Sequence, residues 1–517
     1  MAEKTPKSEF SGPESEFSNG QRLKVIIIAA LVSAMGFIDA TALNVALPFI
    51  QSSLQASATD IHWVLEIYLL FLAALMMAGG ALGDTLGRRR PLRWGVILFA
   101  LTSLACAVSP SAEWLIFFRA MQGISAALMI PASLALINAG FSPAQRGGAI
   151  GRWSAIVALA IPIGPLVGGL AVDYLSWHFV FLLNLPICVL VLGMLATLPR
   201  PPFEPARPLP LDIYGSILIT LSLGLITYGL LEAGREGYFH PLELAVLGIG
   251  TVLLIGFFWL ETRIKTPMLP TFLMKDRRFV LVSVQTLVLF AGFQSAMYFL
   301  SFLYIQSFGY TALQAGAASL PISVIVFFIS SRAGQMATLY GPRLILFLSG
   351  ALMAISLFWL SFADGDYWRS VFPGMVVMGF AVGFFAAPLT TVAMAAAGPG
   401  RDGLASGVNN AVSRIGPLLG IAVFGYWIGG DYAQNLTAAL ATSGLSAEKQ
   451  AFLIENRAMI AAVTLPAEWP AAEQENIMTL IRGLFAQSLQ ETLRISALFA
   501  LCAAILALFY RKDDARS

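Results

Sequence analysis

Three ionisable residues stand inside long apolar runs, where a bilayer would make them expensive. Asp39 lies in GFIDATALNVALP, Glu66 in WVLEIY, and Arg119 in LIFFRAMQG. A charge at the centre of a membrane helix costs about 2.5–3.5 kcal/mol on insertion scales. Such residues face a bundle interior or a watery cavity and mark ion or substrate paths. A desolvated carboxylate can hold a proton, and a nearby arginine opposes that. A substrate and a proton can then compete for one carboxylate, which is the physical basis of antiport. Asp39, Glu66 and Arg119 are therefore the candidates for proton or cation coupling. The plainer readings are a permanent Asp39–Arg119 structural pair and a Glu66 that snorkels to the interface. His62 precedes Glu66 by one turn on the same helix face, so the two outline a proton path. A satisfied interfacial histidine is the plainer reading of His62, because histidine readily suits a wet boundary. Gln122 follows Arg119 at i+3 with Gly123 at i+4, giving a polar, small-residue face suited to a helix seam beside a cavity.

The elements that hold these residues follow from composition. The 517 residues are 58% hydrophobic and 12% charged with a net charge of +2. That mixture belongs to a polytopic helical membrane protein and leaves no field for nucleic acid. With about twenty apolar residues per span, about fourteen helices are expected. The first six cover 23–50, 59–82, 92–109, 113–140, 148–171 and 178–198; two more cover 212–232 and 241–261. The last six cover 279–305, 312–337, 343–363, 370–397, 404–429 and 490–510. A rise of about 1.5 Å per residue from Val25 puts Asp39 roughly 21 Å from the cytoplasmic edge, level with Glu66 and Arg119 in the outer half.

Basic residues settle the expected orientation. Alternate loops collect Arg88 to Arg90, Arg146, Arg152, Arg263, Lys275, Arg277, Arg278, Arg343 and Arg511, while the short opposite loops hold only Arg235 and Arg369. Both termini are therefore expected in the cytoplasm. The expected organisation is a cytoplasmic tail 1–22, without the arrangement of a cleavable signal peptide, and a six-helix bundle 23–199. A linker with two extra helices covers 200–278, opened by the proline-rich stretch from Leu198 to Leu209. A second six-helix bundle covers 279–510, and a cytoplasmic tail covers 511–517. Charged residues bar a span from 430–489, which becomes a long outer loop. Within it Ile477, Leu480, Ile481, Leu484 and Phe485 repeat at helical spacing, as a lid on its own bundle or a dock for a periplasmic adaptor would.

The two bundles echo one another. Gly80 and Gly87 recur as Gly334 and Gly341, IGPLVG from Ile163 recurs as IGPLLG from Ile415, and Trp114 recurs as Trp368. The offsets are nearly equal, as for two bundles related by an axis along the membrane normal with a cavity between them. The ionisable equipment is expected in the first half, since Asp39 corresponds to about Ser295 and Arg119 has no basic counterpart.

Between spans 2 and 3 stands GALGDTLGRRRPL, Gly80 to Leu92. A bend with Asp84, spaced Gly80 and Gly87, and the arginines Arg88 and Arg89 suits a cytoplasmic surface, the glycines serving close approach and a tight turn. The arrangement G-x-L-x-D-x-x-G-R-R resembles the signature loop of the major facilitator superfamily of secondary transporters. R-x-x-Q-G at Arg119 resembles the superfamily's span-4 motif, tied there to proton coupling. GPLVGG, with Gly164, Pro165, Gly168 and Gly169, resembles its antiporter motif, with Ala160 where the pattern often begins with glycine. WHFVFLLNLPI from Trp177 resembles the opening of span 6 in fourteen-span drug:proton antiporters, with His178 in place of the usual arginine. RDGLASGVNNAVSRIGPLLG from Arg401 fits the same family.

The resemblance implies an all-α major facilitator fold of two six-helix bundles plus two linking helices. It implies a proton-driven exporter of amphiphilic, often cationic compounds in a bacterial inner membrane, with no cofactor, working by alternating access. The Gly80–Leu92 loop would latch one state. Phe293, Tyr298 and Phe302 are candidate cavity aromatics among the many rings of span 9. The expected partners are the small amphiphilic substrate, protons and membrane lipids. Export of lipids or lipid-like metabolites fits the same fold. A membrane sensor or enzyme is the remote alternative, because no phosphate loop, zinc helix or nucleophile–base pair is present.

Overall fold

The structure, a computed structural model, describes residues 18–511 apart from 142, 199–211, 237–238, 265–266, 268, 270 and 398–401. Among them every regular element is helical. The first bundle contains α1 (Asn19–Leu54), α2 (Ala58–Leu86), α3 (Arg89–Ala107), α4 (Ala112–Gly140) and α5 (Pro143–Tyr174). Its sixth member is divided into α6 (His178–Leu182) and α7 (Asn184–Ala196). Pro186 cannot donate to the Leu182 carbonyl, which accounts for the division. Then come α8 (Ile213–Glu236), α9 (Pro241–Glu261) and the short α10 (Thr271–Lys275). The second bundle holds α11 (Arg277–Phe302), α12 (Ala312–Ala318), α13 (Leu320–Tyr340), α14 (Pro342–Leu360), α15 (Phe372–Ala397) and α16 (Asp402–Thr442). It ends with α17 (Ala447–Glu455) and α18 (Ala471–Ala507). Pro321 interrupts α12 and α13 by the same chemistry.

Twelve helices among the described residues are long and apolar enough to cross a membrane. Two of the fourteen expected spans fall outside that set. The one at 92–109 coincides with α3, whose opening arginines shorten its apolar part. The one at 148–171 coincides with α5, of which several side chains before Ile163 lie outside those described; its described apolar stretch is Ile163–Tyr174.

The internal repeat is visible in the packing. In the first bundle α1 lies on α5, α2 on α4, and α3 on α4; in the second, α11 lies on α16, α13 on α15, and α14 on α15. The glycine echo survives as backbone geometry, with φ of +80° at Gly87 and +87° at Gly341. Both close a helix in a region that disfavours a Cβ. Between the bundles, α8 packs on both α2 and α16, and α9 packs on α8. At Gly234 a built Cβ would stand 2.7 Å from Tyr426 Cα, so α8 and α16 touch backbone to backbone.

The expected outer loop 430–489 needs correction. α16 continues to Thr442 and α18 begins at Ala471, so most of the segment extends two helices beyond the apolar runs. Their polar faces pair, with Ser488 Oγ donating to Asp431 Oδ2 at 2.6 Å. Hydropathy stops where the polar face begins, but helix hydrogen bonding does not. In the expected amphipathic stripe, Ile477, Ile481 and Phe485 are buried and Leu480 and Leu484 are half-buried. The remaining connection lies over the bundle's own end: Gln51 Nε2 donates to the Met459 carbonyl at 3.2 Å, and Gln306 Nε2 donates to Gln51 Oε1 at 2.9 Å. It is a lid that touches both halves. The proline-rich stretch 199–210 and both tails fall largely outside the described residues.

Candidate functional site

Asp39, Arg119 and Gln122 come together in the middle of the first bundle. α1 supplies Asp39, and α4 supplies Arg119 and Gln122 from one face because they are three residues apart. Arg119 Nη1 donates to Asp39 Oδ2 at 2.6 Å and to Gln122 Oε1 at 2.6 Å. Arg119 Nε donates to the Val64 carbonyl at 3.0 Å, which levels α4 with α2. Gln122 Nε2 donates to Asp39 Oδ1 at 3.2 Å and to Ser103 Oγ at 2.8 Å. All of these side chains are at most 1% exposed.

A further ligand of the carboxylate is Asn184, whose Nδ2 donates to Asp39 Oδ1 at 2.9 Å. Neither Asn184 nor Ser103 was expected in the site. The signal was present for Asn184, a lone amide within WHFVFLLNLPI, and would have emerged from the rule that singled out Asp39. Asp39 thus receives three donors from two helices and is fully engaged. Its geometry is that of a permanent pair as much as of an exchanging group.

Glu66 differs in every respect. It is 0% exposed on α2, and neither carboxylate oxygen has a hydrogen-bond partner among the described residues. The Tyr298 hydroxyl, also buried and unpartnered, lies within its electrostatic range. A proton or a cation is what such a carboxylate lacks. His62 lies one turn away at the seam between halves, its ring edge-on to Tyr298 at 5.4 Å and to Phe299 at 5.8 Å. A Cβ built on Gly425 of α16 would approach His62 Cε1 to 3.0 Å. With Gln51, Phe302, Gln306 and Tyr432, His62 lines a small cavity beneath the lid.

The three candidate aromatics separate. Tyr298 and Phe302 pack together at 5.2 Å in this outer cluster, whereas Phe293 packs on Phe385 at 6.4 Å and keeps part of its surface open.

The glycine-rich helix α5 serves both halves. Gly164 faces Thr41 and Ile38, and a Cβ on Gly168 would stand 2.7 Å from Ala42 Cα, so α5 is laid directly on α1. Pro165 lies against Gly316, and a Cβ on Gly169 would stand 2.7 Å from the Ala312 carbonyl of the second half. Asp173, one turn on, accepts from Ala312 N at 3.0 Å and Leu313 N at 2.8 Å. With the His62–Gly425 contact, these joints gather toward the end of the bundles at which α1, α5 and α16 finish and α2 and α12 begin.

The Gly80–Leu92 stretch is helical through Leu86, and its turn is confined to Gly87 and Arg88. The close approach falls at Gly79, which faces the Ala127 carbonyl, rather than at Gly80, whose built Cβ meets only Pro131 Cβ at 3.7 Å. Arg89 donates to the carbonyls of Leu198, at 2.8 Å, and Leu195, anchoring the turn to the end of α7. The Asp84 side chain lies outside those described. His178, in the place of the expected arginine, bonds the Ala107 carbonyl through Nδ1 at 2.6 Å.

The second half is not without charge. Arg414 of α16 reaches over Phe37 of α1, its guanidinium 5.0 Å from the ring centroid, correcting the expectation that ionisable residues belong to the first half.

The profile of the Major Facilitator Superfamily matches residues 29–421. The chain belongs to the Major Facilitator Superfamily. It is similar to the multidrug resistance protein Stp of Mycobacterium tuberculosis (strain CDC 1551 / Oshkosh), at 34% identity over 79% of this chain and 76% of that one. It is 31% identical to the methylenomycin A resistance protein of Bacillus subtilis (strain 168), over 80% of this chain and 89% of that one. It is 28% identical to the tetracenomycin C resistance and export protein of Streptomyces glaucescens, over 96% and 93%. Among solved structures, a bacterial homolog of the human lysosomal transporter Spinster, inward-facing and unoccupied, superposes with a TM-score of 0.66 at 18% identity, covering 97% of this chain and 98% of that one. As a Major Facilitator Superfamily member the chain is a multi-pass membrane transporter, and its relatives include drug and antibiotic resistance proteins.

Proposed function

We propose that this chain exports amphiphilic, often cationic compounds across a bacterial inner membrane in exchange for protons. In this reading α3 and α5 also cross the membrane, giving fourteen spans with both termini in the cytoplasm. The carrying observation is Glu66, a fully buried carboxylate with both oxygens unpartnered beside the seam between halves. A proton satisfies it in one state and a cationic substrate in another, so the two compete. The Asp39–Arg119–Asn184 network keeps its bonds through the cycle and holds α1, α4 and α7 as one body. Alternating access then rocks the two bundles about the cavity between them. The outer joints at Asp173, Gly169 and His62 belong to a state closed on that side. The names of the relatives, which speak of resistance and export, support the direction of transport.

The test uses purified protein in unbuffered solution while tetraphenylphosphonium is added. Proton release is expected from wild type and is lost in Glu66→Gln. Release that persists in Glu66→Gln and vanishes in Asp39→Asn moves the exchange site to Asp39. Neither binding nor release in wild type favours export of lipid-like compounds instead. The apolar cleft between α2, α4 and α8, lined by Phe71, Leu75, Leu128 and Leu221, would suit that second reading.

A further inference from the structure

The charges beside Asp39 do not balance. Arg119 is neutralised by Asp39 at 2.6 Å. Arg414 has no hydrogen bond or ion pair among the described residues. A guanidinium keeps its charge at any ordinary pH and offers five donors in a planar fork. In a membrane span such a group faces a partner or an aqueous path. Here Arg414 stands at a contact between the two halves. Arg414 leaves α16 just before the Ile415–Gly420 run, crosses to α1 and rests on Phe37, two residues from Asp39. Phe37 and Ile38 keep part of their surface open, while Asp39 beside them is closed to 1%. The half-buried Arg414 side chain thus lies over the partly open part of α1 beside the closed Asp39 network.

One polar atom shares that position. The Tyr68 hydroxyl, buried and without a hydrogen-bond partner among the described residues, lies against Gly36, next in sequence to the Phe37 that carries Arg414. Its ring carries the Arg119 guanidinium at 4.2 Å, which fixes the phenol from behind. Gly36 lies against it without a side chain: a Cβ built there would stand 3.8 Å from the hydroxyl oxygen, in ordinary contact, and 3.3 Å from Ile130 Cδ1. A phenol donor and a guanidinium fork, neither of them engaged and brought from opposite halves, lack the same thing, an anionic oxygen acceptor. Phe37 beneath the fork supplies a flat apolar surface for the rest of the molecule that bears it.

We propose that Arg414 and the Tyr68 hydroxyl form a substrate subsite that takes a carboxylate or other acidic oxygen group of an amphiphilic compound. The subsite rests on the export reading above and adds a class of cargo to it. Zwitterions and amphiphilic acids, and not lipophilic cations alone, are then cargo. Because the two groups come from different halves, an acid bound between them joins the halves while it is in place.

The experiment compares 4-phenylbenzoate with its methyl ester, which keeps the apolar body and removes the charge. Binding to the full-length protein in lipid nanodiscs is measured by calorimetry. Wild type is expected to favour the acid by about tenfold, the scale of a charge-assisted hydrogen bond. Arg414→Gln is expected to bring the two affinities together by weakening the acid and leaving the ester unchanged. Arg414→Lys retains part of the preference, and Tyr68→Phe lowers it. Tetraphenylphosphonium binding in the same samples reports that each variant is folded. Equal affinities in wild type, or a preference that survives Arg414→Gln, overturn the subsite while cation binding and proton release leave the export reading standing. A wild type that binds neither probe nor tetraphenylphosphonium overturns both.

Discussion

Asp39 Oδ2 accepts from Arg119 Nη1 at 2.6 Å with both side chains at most 1% exposed. In such a pair the loss of one member leaves the other charged and buried, at a cost of about 3–5 kcal/mol. Asp39→Asn is therefore expected to lower the thermal unfolding midpoint in detergent far more than Asn184→Ala, which removes one neutral donor. Asp39→Asn combined with Arg119→Gln should recover much of the loss, because the stranded charge goes with the second change. Equal midpoints for the single and double variants would show that the pair is not what the charge balance rests on.

Glu66→Gln should behave in the opposite way. Among the described residues no hydrogen bond to either oxygen is present to be lost, and an amide carries no ionised form to desolvate. The unfolding midpoint is expected to stay level or rise. A fall comparable with that of Asp39→Asn would mean that Glu66 has a partner in the folded protein and is held as a structural group.

The glycines of the signature loop offer a sharper contrast. A side chain at Gly79 meets the Ala127 carbonyl of α4, whereas one at Gly80 meets Pro131 Cβ at an ordinary 3.7 Å. Gly79→Ala is expected to cost about 1–3 kcal/mol by forcing α2 and α4 apart. Gly80→Ala should be nearly neutral, or slightly stabilising through helix propensity. Thermal unfolding of the two variants side by side decides the matter; the reverse order would place the close approach at the motif glycine.

These residues also show what was legible in the sequence. Asp39, Glu66 and Arg119 announced themselves because charge within an apolar run has few explanations. Their division into an engaged pair and an unpartnered carboxylate depends on which faces of α1, α2 and α4 meet, and no spacing along one helix encodes that. Gly79 and Gly80 are adjacent, so the motif gave the neighbourhood and only the rotation of α2 chose the residue. Arg414 was hidden by its position in the second half, where the repeat pointed to sites stripped of charge. The limits of α16 and α18 were missed because hydropathy reports the bilayer, while the extensions past it are stabilised by contacts such as Ser488 to Asp431.

The outer joint supplies the last expectation. Asp173 accepts from two backbone donors, Ala312 N at 3.0 Å and Leu313 N at 2.8 Å, at the start of the span that opens with α12. These N–H groups have no intrahelical partner, so the carboxylate from the other half caps them as an N-cap residue would. Removing such a cap costs about 0.5–2 kcal/mol. Here the cost falls only on the state in which the outer ends are together. Asp173→Ala is therefore expected to shift the population toward an outer-open state by about twofold to thirtyfold, with little effect on the stability of either bundle. Spin labels at the exposed Tyr174 and Trp368 positions, on outer ends of different halves, read this directly. The distance distribution should gain a longer component in the Asp173→Ala background. A distribution identical to that of the parent would assign the closing of the outer side to the Gly169 and His62 contacts instead.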